Sequence, residues 1–127
     1  MDRAQLERWI DGYVKAWNSN DPDDIRALFT EDATYLTGPF DAPWRGADEI
    51  VAGWVDAKDE PGTTDFRYEV VAIDGNTVVV QGVTDYFEPP PPRKYGNLWV
   101  IRLGADGRAT YYLEFWELKK EDGLDGL

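Results

Sequence analysis

Residues 13–35, YVKAWNSNDPDDIRALFTEDATY, decide the fold. Tyr13, Val14 and Trp17 continue an apolar stripe that begins with Leu6, Trp9 and Ile10. Spacings of three and four predict one amphipathic helix, with Asp2 placed to cap its start. The run NSNDPDD ends that helix and opens another, with Asp21 as N-cap and Pro22 at the first helical position. Ile25, Leu28 and Phe29 form the buried side of this short second helix. ATYLT, residues 33–37, then reads as a strand.

Further along the chain, GPFDAPWRG (38–46) is a loop by its glycines and prolines. A third helix opens at Gly46-Ala47-Asp48-Glu49, whose acids suit the helix dipole. Ile50, Val51, Trp54 and Val55 are its apolar side. KDEPGTTD (58–65) is a second loop. Four strands follow: 66–73, a DGN turn, 77–87, the stiff connector EPPPPRK (88–94), 95–103, a GADG turn, and 110–118. The order α-α-β-α-β-β-β-β predicts an α+β fold with helices on one face of an antiparallel meander. The strands are apolar on both faces, as in Val78 and Val80 against Val79, and Trp99 and Ile101 against Leu98 and Val100. A sheet with one wet face alternates more cleanly, so a homodimer through the outer face is expected. Residues 1–118 make a single domain, and 119–127 read as a frayed C-terminal tail.

The composition excludes much. The 127 residues carry a net charge of −12, which opposes nucleic acid, anionic membranes and polyanionic substrates. There is no cysteine and no histidine. Disulfides, thiol nucleophiles, thiolate metal sites and imidazole bases are therefore absent. No phosphate loop or metal-ligand cluster is present, and no cofactor is expected. The N-terminus lacks a signal-peptide core, no apolar run reaches membrane-span length, and the cytoplasm is the expected location. Acid–base chemistry near neutral pH must come from a carboxyl, tyrosine or lysine of shifted pKa.

That requirement turns attention to TYYLEFWEL, residues 110–118. Alternation places Tyr112, Glu114, Trp116 and Leu118 on one face. Glu114 thus has aromatic same-face neighbours on both sides. A carboxylate there is paired, neutralised, or lining a wet cavity.

The stretches 13–35, PWRGADEIVAGW (43–54) and YGNLWVIRLGADGRATYYLEFWE (95–117) resemble the nuclear transport factor 2-like superfamily. This group includes the SnoaL-like proteins and ketosteroid isomerase, and the pattern N-x-x-D-x-x-x-x-x-x-L-F-x-x-D-A begins at Asn18. The resemblance implies a cone-shaped barrel, a curved antiparallel sheet wrapped around three N-terminal helices, with a ligand pocket at the mouth. Ketosteroid isomerase is a standard example of a site with an Asp base and Tyr and protonated Asp donors. Its tyrosine matches Tyr13, but its base falls on Thr37 and its aspartate on Trp99. Steroid isomerisation by that mechanism is not expected. No Arg-x-Asp strand motif of the limonene epoxide hydrolase kind is found, and a histidine-based dehydratase is excluded.

The resemblance also implies strand parity. It turns Tyr35, Thr37, Asn97, Trp99, Tyr112, Glu114 and Trp116 inward, and brings Tyr13, Trp17 and Trp54 to the walls. Trp44 sits over the mouth. Asp85 and Gln81 take the outer parity unless a bulge reverses it. Two readings of Glu114 stay open: a carboxyl of raised pKa in an aromatic cavity, or a glutamate paired with Arg45 or Arg67 or solvated outside. Tyr13 either donates to a substrate oxygen or packs in the core with its hydroxyl bonded to a neighbour. The tryptophans either line a pocket for a neutral or cationic apolar or aromatic molecule, or fill the cone. Arg93 and Lys94 are candidates to gate it. The expectation is a small-molecule-binding domain, catalytic through Glu114 and Tyr13 as a cofactor-free lyase, isomerase or hydrolase. The alternative is a non-catalytic ligand-binding or dimerisation module, with a protein–protein adaptor as a third reading.

Overall fold

A computed structural model describes residues 2–120. The tail expected over 119–127 lies outside the described residues except for Lys119 and Lys120. Helix α1 (Arg3–Ser19) starts in a capping box: Asp2 accepts from the Gln5 backbone N–H, and the Gln5 side chain accepts from the Asp2 N–H. It ends at Asn20, whose left-handed φ of 51° turns the chain. Asp21 caps α2 (Pro22–Arg26), accepting from the Asp23 N–H at 2.8 Å.

The second helix is shorter than expected, and Phe29 belongs to the strand that follows, β1 (Phe29–Leu36), rather than to α2. The carbonyl of Leu28 explains the early switch. It accepts the Trp9 indole N–H at 2.9 Å and the Ala109 backbone N–H at 2.7 Å, so the chain is tied to α1 and to the sheet just before β1. Two residues of the expected loop form a short strand, β2 (Trp44–Arg45), leading into α3 (Gly46–Asp56). Gly53 of α3 is needed for its size: a Cβ there would collide with the Trp44 indole.

The rest is β3 (Thr64–Asp74), β4 (Thr77–Tyr86), β5 (Arg93–Leu103) and β6 (Ala109–Leu118). The six strands form one curved sheet in the order β2-β1-β6-β5-β4-β3. The sheet is mixed, not antiparallel throughout: β1 runs parallel to β6, with Tyr35 opposite Tyr112. The α3 crossover and the return through β3–β5 bring β6 back beside β1 in the same direction. β3 bulges between Val70 and Ala72. β5 starts at Arg93, so the end of the proline connector joins the ladder.

The core lies between the helices and the concave face. Leu6, Ile10, Ile50, Ile101 and Tyr112 are fully buried there, and Trp99 is 1% exposed. No helix among the described residues is long and apolar enough to cross a membrane.

Candidate functional site

The wide end of the cone holds a cavity of about 310 Å³. Tyr13, Trp17, Tyr35, Thr37, Trp44, Trp54, Asn97, Trp99, Glu114 and Trp116 all line it. Only Tyr112, of the residues expected inside, does not. It points inward but is fully buried beneath Tyr13 and Tyr35, stacking on Tyr35 at 4.4 Å. Trp116 stands at the mouth, 58% exposed and edge-on to Tyr95.

Strands β5 and β6 place the carboxylate. Register sets Trp99 opposite Glu114 and Asn97 opposite Trp116. Glu114 Oε2 accepts from the Trp99 indole N–H at 3.0 Å and from the Asn97 amide at 2.8 Å. Thr84 donates its hydroxyl to Asn97 Oδ1 at 2.8 Å, which turns the amide NH₂ toward Glu114. Thr84 is 1% exposed and Asn97 9%. This chain of neutral donors fixes one oxygen of the carboxylate.

The other oxygen is open. Among the described residues no side chain donates to Oε1, and none of the enclosed side-chain polar atoms lacks a partner. Oε1 therefore faces the cavity. Burial pushes the Glu114 carboxyl above its usual range; the Trp99 and Asn97 bonds oppose that rise, and the Asp59 charge adds to it. The native chain thus holds this proton more tightly than the unfolded chain. Its contribution to stability is most favourable below the ordinary carboxyl range and is lost as pH rises through the raised value.

The ion-pair reading of Glu114 fails. Arg67 lies on the outer face, where it pairs with Asp85 at 3.0 Å. The Arg45 backbone N–H donates to Glu49, and no ion pair joins Arg45 to Glu114. β4 pairs with β5 without a register shift, so Asp85 keeps its outer parity and also pairs with Lys94 at 3.1 Å. Lys94 is thereby removed from any gate. Arg93 lies over the Tyr86 ring at 4.9 Å without lining the cavity.

Three phenols form a second network. Tyr13 Oη lies 2.8 Å from Tyr35 Oη and 3.2 Å from Tyr112 Oη. Tyr112 is fully enclosed, while Tyr13 and Tyr35 line the cavity. Either oxygen of each pair can donate, so the three hydroxyls form one network with two members, Tyr13 and Tyr35, at the cavity wall. Burial raises all three pKa values, with the Glu114 charge adding to the rise, so the relay stays protonated at neutral pH. Tyr13 packs in the core with its hydroxyl bonded to two neighbours, and it also lines the cavity.

Part of the lining comes from residues that sequence reasoning missed. Asp59, in the loop after α3, lines the cavity with Ala57, Lys58, Tyr86 and Tyr95. Asp59 Oδ2 accepts from the Trp17 indole at 2.8 Å and the Tyr86 hydroxyl at 3.0 Å. The loop is pinned to the end of α1: Asn20 donates to the Asp59 carbonyl at 3.0 Å, and Asn18 accepts from the Gly62 N–H at 3.2 Å. Nothing local marks KDEPGTTD as a site. The two asparagines at the helix end were the available signal. Thr37 has its hydroxyl bonded to Asp41 at 2.7 Å, so it supplies no base.

Comparison with solved structures agrees with this architecture. A ketosteroid isomerase-like protein from Erwinia carotovora atroseptica superposes with a TM-score of 0.65 at 22% identity, covering 87% of this chain and 92% of that one. SalBIII, an epoxide hydrolase/cyclase-like enzyme with a role in pyran ring formation in the polyether salinomycin, gives 0.71 at 21%, covering 91% and 93%. An NTF-2 like protein of unknown function from Burkholderia xenovorans gives 0.71 at 13%, covering 93% and 87%. At these identities the likeness is one of fold. A search of curated proteins gives no match. The model of the SnoaL-like domain matches residues 10–112, most of the length. With the cone, its mouth cavity and this match in agreement, the chain belongs to the SnoaL-like domain family.

Proposed function

We propose that the cavity binds a small organic molecule and that Glu114 moves a proton to or from it without a cofactor. The observation that carries this reading is the division of labour in one carboxylate: Oε2 is held by Trp99 and Asn97 while Oε1 opens to the cavity. A general base needs a fixed position and a pKa lifted toward the working pH. A hydroxyl of the Tyr13–Tyr35 pair, both at the cavity wall, is the donor that polarises a substrate oxygen. A lyase, isomerase or hydrolase reaction is served by this carboxylate and donor, and the fold hosts such chemistry in SalBIII, an epoxide hydrolase/cyclase-like enzyme. The testing experiment is kinetic comparison of the parent with Glu114→Gln on a turned-over substrate; unchanged kcat would leave only a ligand-binding module.

We also propose that the domain pairs with a second copy through its outer sheet face. Register places Leu98 beside Phe115, and both are exposed, at 38% and 41%. Val100 lies beside Leu113 in the next row. Together they form an apolar stripe of the kind that marks an interface. Light scattering should show a dimer, and Leu98→Glu should shift it to monomer, raising the dissociation constant by at least about tenfold, the effect of one desolvated charge. A parent that stays monomeric at high concentration would contradict the proposal.

A further inference from the structure

Two carboxylates face one aromatic cavity, and neither has a cationic partner. Among the described residues, no lysine or arginine forms an ion pair with Glu114 or Asp59. Every donor to them is neutral: the Trp99 indole and the Asn97 amide on Glu114, the Trp17 indole and the Tyr86 hydroxyl on Asp59. Neutral donors satisfy lone pairs but leave the charge in place. Lys58 is the one cation in the lining, and it is an exposed rim residue. Most of the remaining wall is tryptophan and tyrosine, whose ring faces attract positive charge. Two carboxylates brought to one half-open cavity with no cation between them carry charge that a positively charged ligand would offset.

We infer that the cavity is built for a small organic cation, its charged head between Glu114 and Asp59 and its body against the indole and phenol rings. The inference rests on the ligand-site reading above and narrows its substrate class. A volume of about 310 Å³ suits a compact molecule with one ring or a short branched chain. An ammonium head would neutralise the carboxylate pair and lie over ring faces at the same time. Phosphorylated or carboxylated compounds are disfavoured by the same charges. The net charge of −12 draws cations toward the protein at long range.

The test uses para-substituted phenols of different charge, the cation and the neutral probe being of one shape. Binding of 4-(trimethylammonio)phenol, 4-tert-butylphenol and 4-hydroxybenzoate would be followed by quenching of the cavity tryptophans. The cation should bind at least about tenfold more tightly than its neutral isostere, with the anion weakest. Asp59→Asn should reduce that preference several-fold while the affinity for the neutral phenol holds. Glu114→Gln, which keeps the acceptor for Trp99 and Asn97, should do the same and serves if the Asp59 variant fails to fold. Equal affinity for cation and isostere would overturn the cation inference and leave the ligand site standing. Tighter binding of the anion, or a cation preference unchanged in both folded variants, would also overturn it. Failure of all three probes to bind would overturn it together with the ligand-site reading.

Discussion

Glu114→Gln should lower kcat by about 10²–10⁴-fold on a substrate that this domain turns over, the usual contribution of one positioned acid or base. KM should change little for a neutral substrate and rise several-fold for a cationic one, since the charge that holds the cation is lost. The replacement has the same length, and its Oε1 can accept the bonds that Trp99 and Asn97 now give to Oε2. It cannot take up a proton. Misfolding is separable from lost chemistry here, because removing a carboxylate that burial disfavours should not lower the melting temperature at neutral pH. Steady-state kinetics with a thermal melt on the same sample checks both. A variant with parental kcat would end the proton-transfer proposal and leave a binding module.

Trp99→Ala should be the most damaging single change to the fold, costing about 3–5 kcal/mol for a large aromatic removed from a core. Trp99 is 1% exposed and its ring lies 4.7 Å from Tyr13, 4.8 Å from Phe66 and 5.5 Å from Tyr112. The Phe66 stack exists because Gly82 on the neighbouring strand has no Cβ to strike that ring. Removal of the indole leaves a void among rigid rings that cannot close over it. For a domain of this size the melting temperature should fall by roughly 10–20 °C. Trp99→Phe separates packing from polarity: it keeps most of the ring contacts and loses only the N–H donated to Glu114. It should melt much nearer the parent, while the Glu114 carboxyl, deprived of one stabilising bond, rises further in pKa. A Trp99→Ala melt within a few degrees of the parent would show that the aromatic cluster is not the structural centre of the cone.

The parts legible in the sequence were those governed by local periodicity. The three-and-four spacing from Leu6 to Trp17 marked α1, and Asp2 and Asp21 fall at the two caps. Strand alternation put Tyr112, Glu114 and Trp116 on one face, the family resemblance turned that face inward with Asn97 and Trp99, and the register places Asn97, Trp99 and Glu114 within hydrogen-bond reach of one another. What alternation could not give was depth. Tyr112 shares the parity of Glu114 yet lies under Tyr13 and Tyr35, because the cone narrows toward that end and the helices fill it. Long-range pairing was also hidden. The parallel match of β1 to β6 and the early start of β1 at Phe29 depend on the Leu28 carbonyl meeting Trp9 and Ala109, a contact between distant segments. Asp59 was missed for the same reason. It has no pattern of its own and reaches the cavity only because Asn18 and Asn20 fasten its loop to α1.

The central claim is that the Glu114 side chain presents one free oxygen to a half-open aromatic cavity. Carboxyl ¹³C chemical shifts followed by NMR from acid to neutral pH, with Glu114→Gln used to assign the resonance, measure this directly. The account predicts a midpoint for Glu114 above the ordinary glutamate value of about 4.3, because burial outweighs the bonds from Trp99 and Asn97. A midpoint at or below that value would mean a solvated or ion-paired carboxylate and would contradict the account.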